Sequence, residues 1–109
     1  MSYTSWKKRL KVGARIHVTN VRRPWRTRHM LVTSASKRMF TAADIDATVG
    51  EVVKHWNFEL PPAAFTRVAD EDSVELLARE DGPRWGVDSN QQLEDIQAGE
   101  PYMVVKILS

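Results

Sequence analysis

The residues best equipped for chemistry are cations gathered around one aromatic. Arg22-Arg23-Pro24-Trp25-Arg26-Thr27-Arg28 sets four guanidinium groups about a single indole. Guanidinium groups present a planar fork of donors that matches phosphate oxygens. An indole among them can stack on a base while the arginines hold the backbone, or wedge into a minor groove. Trp25 has a second reading of equal standing, in which it folds back and anchors its loop on the core. Arg15, Lys37 and Arg38 lie close by in sequence and would widen the footprint.

The charge is partitioned along the chain. Residues 1–43 hold eleven Lys or Arg and no Asp or Glu, a balance of +11. Residues 44–109 hold five Lys or Arg and all fourteen acids, a balance of −9, so the net charge of +2 hides the asymmetry. Such asymmetry points to a polyanionic partner or to pairing within the fold. The acidic run Asp70-Glu71-Asp72, with Glu75, Glu80 and Asp81, reads as a solvated hairpin and loop, or as a surface that docks a basic protein.

Other chemistries find less to work with. His17, His29 and His55 lack any metal-ligand spacing, and His17 and His29 stand among cations where they could add phosphate contacts. Asp44 and Asp46, followed by Glu51 and Lys54, bear a faint likeness to metal-dependent nucleases, but Glu-x-x-Lys departs from the usual Glu-x-Lys. Nucleophile-elbow, phosphate-loop and dinucleotide fingerprints are absent. The expectation is therefore a non-enzyme with no catalytic residues, no metal and no cofactor.

At 109 residues the chain suits a single domain, 1–109, that buries about two-thirds of its unfolded surface. It has no cysteine, so disulfides and cysteine-ligated zinc are excluded. No signal peptide or membrane-length apolar run is visible, and the expected location is cytoplasmic.

The elements that would position these residues are short. Residues 2–10 open as a helix capped by Ser2, Thr4 or Ser5, with Trp6 and Leu10 on one face, and Gly13 ends the pattern. Residues 14–21 alternate, with Ile16 and Val18 on one side and Arg15, His17 and Thr19 on the other. Pro24 makes 22–28 a loop. Strands follow over 29–33 and 38–42, completing an antiparallel meander. Residues 43–53 are read as a helix and 55–60 as a strand that Pro61-Pro62 ends, although the apolar spacing allows either form across 41–60. Residues 66–69 and 74–78 form a hairpin around Asp70-Glu71-Asp72. A helix capped by Asp88 or Ser89 runs to Ala98 with Leu93 and Ile96 inward and Gly99 as its stop. The apolar segment 102–108 is a strand inside the sheet. Trp6, Trp56, Phe58, Phe65, Tyr102 and Trp85 are expected at the core or its edge.

These elements predict a mostly β (α+β) domain, a small antiparallel SH3-like or related barrel with two or three short helices. Gly13 before a first strand, a basic loop, two further strands and a Trp-x-Phe-x-Leu-Pro strand are similar in outline to such barrels. The expected function is a small nucleic-acid-binding domain, for DNA or RNA, contacting its partner through Arg15, Arg22, Arg23, Trp25, Arg26, Arg28, Lys37 and Arg38. The alternative is a protein-interaction module, a small inhibitor or adaptor that uses charged surfaces to bind a protein partner. No membrane partner is expected.

Overall fold

The computed structural model describes residues 2–45, 55–83 and 88–109. Helix α1 spans Tyr3–Arg9. Ser2 caps it, its hydroxyl accepting from the Ser5 N–H at 3.1 Å. Lys7, Lys8 and Arg9 fill its last turn, where cations favour the helix dipole. Strands β1 (Arg15–Asn20), β2 (Arg23–Ala35), β3 (Met39–Asp44) and β4 (His55–Glu59) follow as an antiparallel meander. A 3-10 turn at Ala63–Phe65 leads into β5 (Thr66–Val68) and β6 (Ser73–Leu77). Helix α2 (Ser89–Ala98) and strand β7 (Pro101–Ile107) complete the chain.

The seven strands form one antiparallel sheet in the order β4-β3-β2-β1-β7-β6-β5. Strand β7 therefore sits inside it, between β1 and β6, as its apolar sequence requires. Strands make up 47% of the described residues, and the sheet curls into a half-barrel. One ion pair measures that curl. Glu59 ends β4, and Arg79 follows β6, five strand spacings away in the sheet order. A flat sheet would separate them by about 24 Å. The Arg79 Nη2 instead lies 3.1 Å from Glu59 Oε1.

Alternation sorts each strand into an inner and an outer face. Ile16, Met30, Val32, Phe40, Phe58, Val74, Leu76, Met103, Val105 and Ile107 point inward and form the core. Phe40 and Phe58 stack with centroids 4.8 Å apart. Helix α1 lies against β5 and β6. Its Trp6 is fully buried and donates Nε1–H to the Asp72 carbonyl at 2.8 Å.

Several sequence expectations change here. Residues 22–28 are not a free loop, because Arg23–Arg28 belong to β2, which runs unbroken through 29–33 to Ala35. The reason is a large bulge. Arg23 pairs with Asn20 and Arg28 with Val18, so five steps along β2 answer two along β1. Pro24 lies in that bulge, where its missing N–H costs no ladder bond. The third strand reaches Asp44, so residues 43 and 44 are strand rather than helix. Residues 46–53 of the expected 43–53 helix, with Asp46 and Glu51, lie outside the described residues, as do Lys54 and Trp85. Phe65 is 40% exposed rather than at the core or its edge, whereas Trp56, half-buried and packed against the core, keeps its expected place at the edge.

Helix α2 keeps its expected ends. Asp88 accepts from the Gln91 N–H at 2.8 Å, and Gly99 closes it with a φ of +68°. Its inward face differs from expectation, since Leu93 is 55% exposed whereas Gln92 and Asp95 are buried. Gln92 donates to the Arg79 carbonyl at 2.9 Å, and Asp95 takes Arg22 and Gln91. The helix docks through polar anchors, which hydrophobic periodicity does not register.

Arg79 is 4% exposed, held by Glu59 and by Asp81 at 3.2 Å. Gly82 packs on its stem so tightly that a Cβ there would fall 2.8 Å from Arg79 Cγ. Burial pushes the Tyr102 phenol above its usual range, with the charge of Arg79 opposing. The folded chain therefore keeps a proton that the unfolded chain gives up near pH 10. Stability should fall as pH rises beyond that point. Denaturant titrations at stepped alkaline pH should show a shallower fall for Tyr102→Phe than for the parent.

Candidate nucleic-acid interface

The β1–β2 hairpin positions most of the cations singled out from sequence. Its turn is Val21-Arg22, closed by Asn20 Oδ1 accepting from the Arg22 N–H at 3.1 Å. Beyond the turn, the Thr27 hydroxyl donates to the Pro24 carbonyl at 2.7 Å and meets the Thr19 hydroxyl at 3.2 Å. These bonds brace the bulge from within. Pro24, Trp25, Arg26, Thr27 and Arg28 are all exposed.

Trp25 is 76% exposed, the largest value among the exposed large apolar side chains of the described residues. The reading in which it anchors the loop to the core is therefore overturned. The Thr27 contacts to Pro24 and to Thr19 of β1 brace the bulge while the indole stays in solvent.

Next to it lies a groove of about 120 Å³, lined by Val18, Asn20, Arg26, Arg28, Trp56 and Phe58. Arg28 shares the row of Val18 and so faces inward, beyond the end of the apolar core. Its guanidinium sits 4.6 Å from the Trp56 ring centroid, a cation–π contact, and 3.3 Å from Asp44 Oδ2. The sequence places Trp56 at the core or its edge and assigns it no part in binding. The signal that it serves this groove is its place on β4 opposite Ala42, beside the small side chains of β3.

The basic and acidic parts of the chain neutralise each other only in part. Arg9 pairs with Asp72 at 2.8 Å, Arg22 with the buried Asp95, and Arg28 with Asp44. Arg15, Arg23, Arg26, Lys37 and Arg38 make no ion pair among the described residues. The acidic turn is partly consumed as well, since Asp72 holds Arg9 and its own N–H, bonded to Asp70, keeps the Asp70 carboxyl below its usual range.

The eight residues do not form one surface. Arg22, Arg23, Trp25, Arg26 and Arg28 cluster at the hairpin end. Arg15 lies on the outer face in the row of Leu31. Lys37 and Arg38 occupy the β2–β3 turn at the far end of β2, which at 13 residues is about 40 Å long. His17 and His29 meet edge-on on the outer face, centroids 5.0 Å apart, and face away from the groove. No helix among the described residues is long and apolar enough to cross a membrane. No family model, curated protein or solved structure matches the chain.

Proposed function

We propose that this domain binds nucleic acid without catalysis, through the tip of the β1–β2 hairpin. The observation that carries the reading is Trp25, bare to solvent between Arg23 and Arg26. An indole left in water is an unused contact surface, and its neighbours here are free cations. Arg23 and Arg26 would hold phosphates while Trp25 stacks on an unpaired base. The groove formed by Arg28 and Trp56 lies next along the strand path and would take a neighbouring nucleotide. A projecting bulge with one flat aromatic suits single strands better than a duplex, since no helix is offered to the major groove. A chain without cysteine also fits a reducing, cytoplasmic setting.

The test is an anisotropy titration against single-stranded DNA, RNA and duplex DNA over a range of salt. Binding should be tightest for a single strand and should weaken steeply with salt. Replacing both Arg23 and Arg26 by Ala should lower the slope of log affinity against log salt by roughly 1.4, about 0.7 for each lost phosphate contact. A slope unchanged in that variant would remove the hairpin from the interface. If no oligonucleotide binds even at low salt, the protein-interaction alternative takes over, with the exposed Leu93 and Glu94 of α2 as its first candidate surface.

A further inference from the structure

At the other end of β2 lies a second, larger cleft of about 390 Å³, within the range of small-molecule sites. Its lining comes from separate parts of the chain: Lys7 from α1, Lys37 and Arg38 from the β2–β3 turn, Glu59 from the end of β4, and Arg79 and Asp81 from the segment after β6. Four cations face two carboxylates, and both carboxylates are already bound to Arg79. Lys7, Lys37 and Arg38 are left with no ion pair among the described residues. The cleft thus holds an excess of positive charge that the fold does not answer.

Among the described residues, Arg79 is the one cation of the cleft that the fold itself answers. Burying a guanidinium is costly unless every donor is met. Here Nε and Nη2 are met by Asp81 and Glu59, and the Tyr102 phenol is a further hydrogen-bond partner of the same guanidinium. The unanswered positive charge of the cleft therefore comes from Lys7, Lys37 and Arg38. The walls are flat and apolar, with Tyr3 and Phe65 joined by Pro61 and Pro62. Phe65 is one of the few large apolar side chains the fold leaves exposed.

We infer that this cleft binds a phosphate-bearing mononucleotide, its phosphate held by Lys7, Lys37 and Arg38 and its base set against Tyr3 and Phe65. The site is independent of the hairpin tip, from which it is separated by most of the length of β2. Lys37 and Arg38 thereby belong to this cleft rather than to the footprint around Trp25.

The experiment is calorimetric titration of the full chain with adenosine monophosphate, adenosine and inorganic phosphate. Adenosine monophosphate should bind in the submillimolar range, more tightly than either fragment, and phosphate should compete with it. The double substitution Lys37→Ala with Arg38→Ala, on an exposed turn, should weaken it roughly tenfold or more. Trp25→Ala should leave it unchanged, which separates this site from the proposed oligonucleotide surface. Absence of binding by both adenosine monophosphate and phosphate at millimolar concentration overturns the site. So does binding that the double substitution fails to move. Adenosine monophosphate binding no tighter than inorganic phosphate overturns the nucleotide assignment.

Discussion

Trp25→Ala should weaken binding to single-stranded oligonucleotides by about 5- to 150-fold, the equivalent of the roughly 1–3 kcal/mol measured for base–aromatic stacks. The same change should leave folding stability within about 0.5 kcal/mol of the parent, as for surface substitutions that break no special contact. The two expectations share one cause. Trp25 is 76% exposed, so truncating it opens no cavity and removes no core contact. Whatever it contributes must come from a partner. Trp25→Tyr should retain most of the affinity, because a smaller flat ring still stacks. Arg26→Ala should behave differently, changing the salt slope more than the preference for unpaired over paired strands. Anisotropy titration with a parallel urea melt checks each variant. Unchanged affinity in a fully folded Trp25→Ala variant would leave the indole free for a protein partner instead.

The sequence carried the parts of this fold that depend on near neighbours. Ile16 and Val18 alternate on β1 and are buried, Ser2 and Asp88 cap their helices, and Gly99 stops α2 in the left-handed region. Each of these is decided within a few residues. Local pattern misleads where distant residues decide. Arg-Arg-Pro-Trp-Arg reads locally as a loop, yet pairing of Arg23 with Asn20 and of Arg28 with Val18 draws it into β2 as a bulge. Helix α2 turns Gln92 and Asp95 inward because Arg79 and Arg22 wait there, and Arg22 is 73 residues from Asp95.

The candidate site follows the same division. Its charge was visible as the missing acids of residues 1–43. Which cations stay free was not, because the partners that remove Arg9 and Arg22 lie 63 and 73 residues away. Nor could spacing reveal that Lys37 and Arg38 stand a strand's length from Trp25. Two residues ten positions apart are near in a loop and remote along a strand.

Trp6→Ala should cost about 3–5 kcal/mol of stability, as large aromatic-to-alanine changes in cores do. Against a total of roughly 5–15 kcal/mol for an ordinary domain, that leaves little margin. Trp6 is fully buried among the core residues, so its removal opens a cavity between α1 and the sheet. It also deletes the bond from Nε1 to the Asp72 carbonyl, which with the Arg9–Asp72 pair ties α1 to the β5–β6 turn. Trp6→Phe keeps a ring but loses that bond and part of the volume, and should fall between. Urea melts followed by circular dichroism give the order. The consequence for binding should be uneven. Tyr3 stacks on Trp6 with centroids 6.0 Å apart, and Tyr3 and Lys7 both line the large cleft. The hairpin tip is held by β1–β2 pairing and by the Arg22–Asp95 anchor, neither of which involves α1. In Trp6→Phe, where folding survives, affinity for adenosine monophosphate should fall while affinity for a single strand holds. Equal loss at both sites would mean that α1 supports the whole half-barrel rather than the cleft it borders.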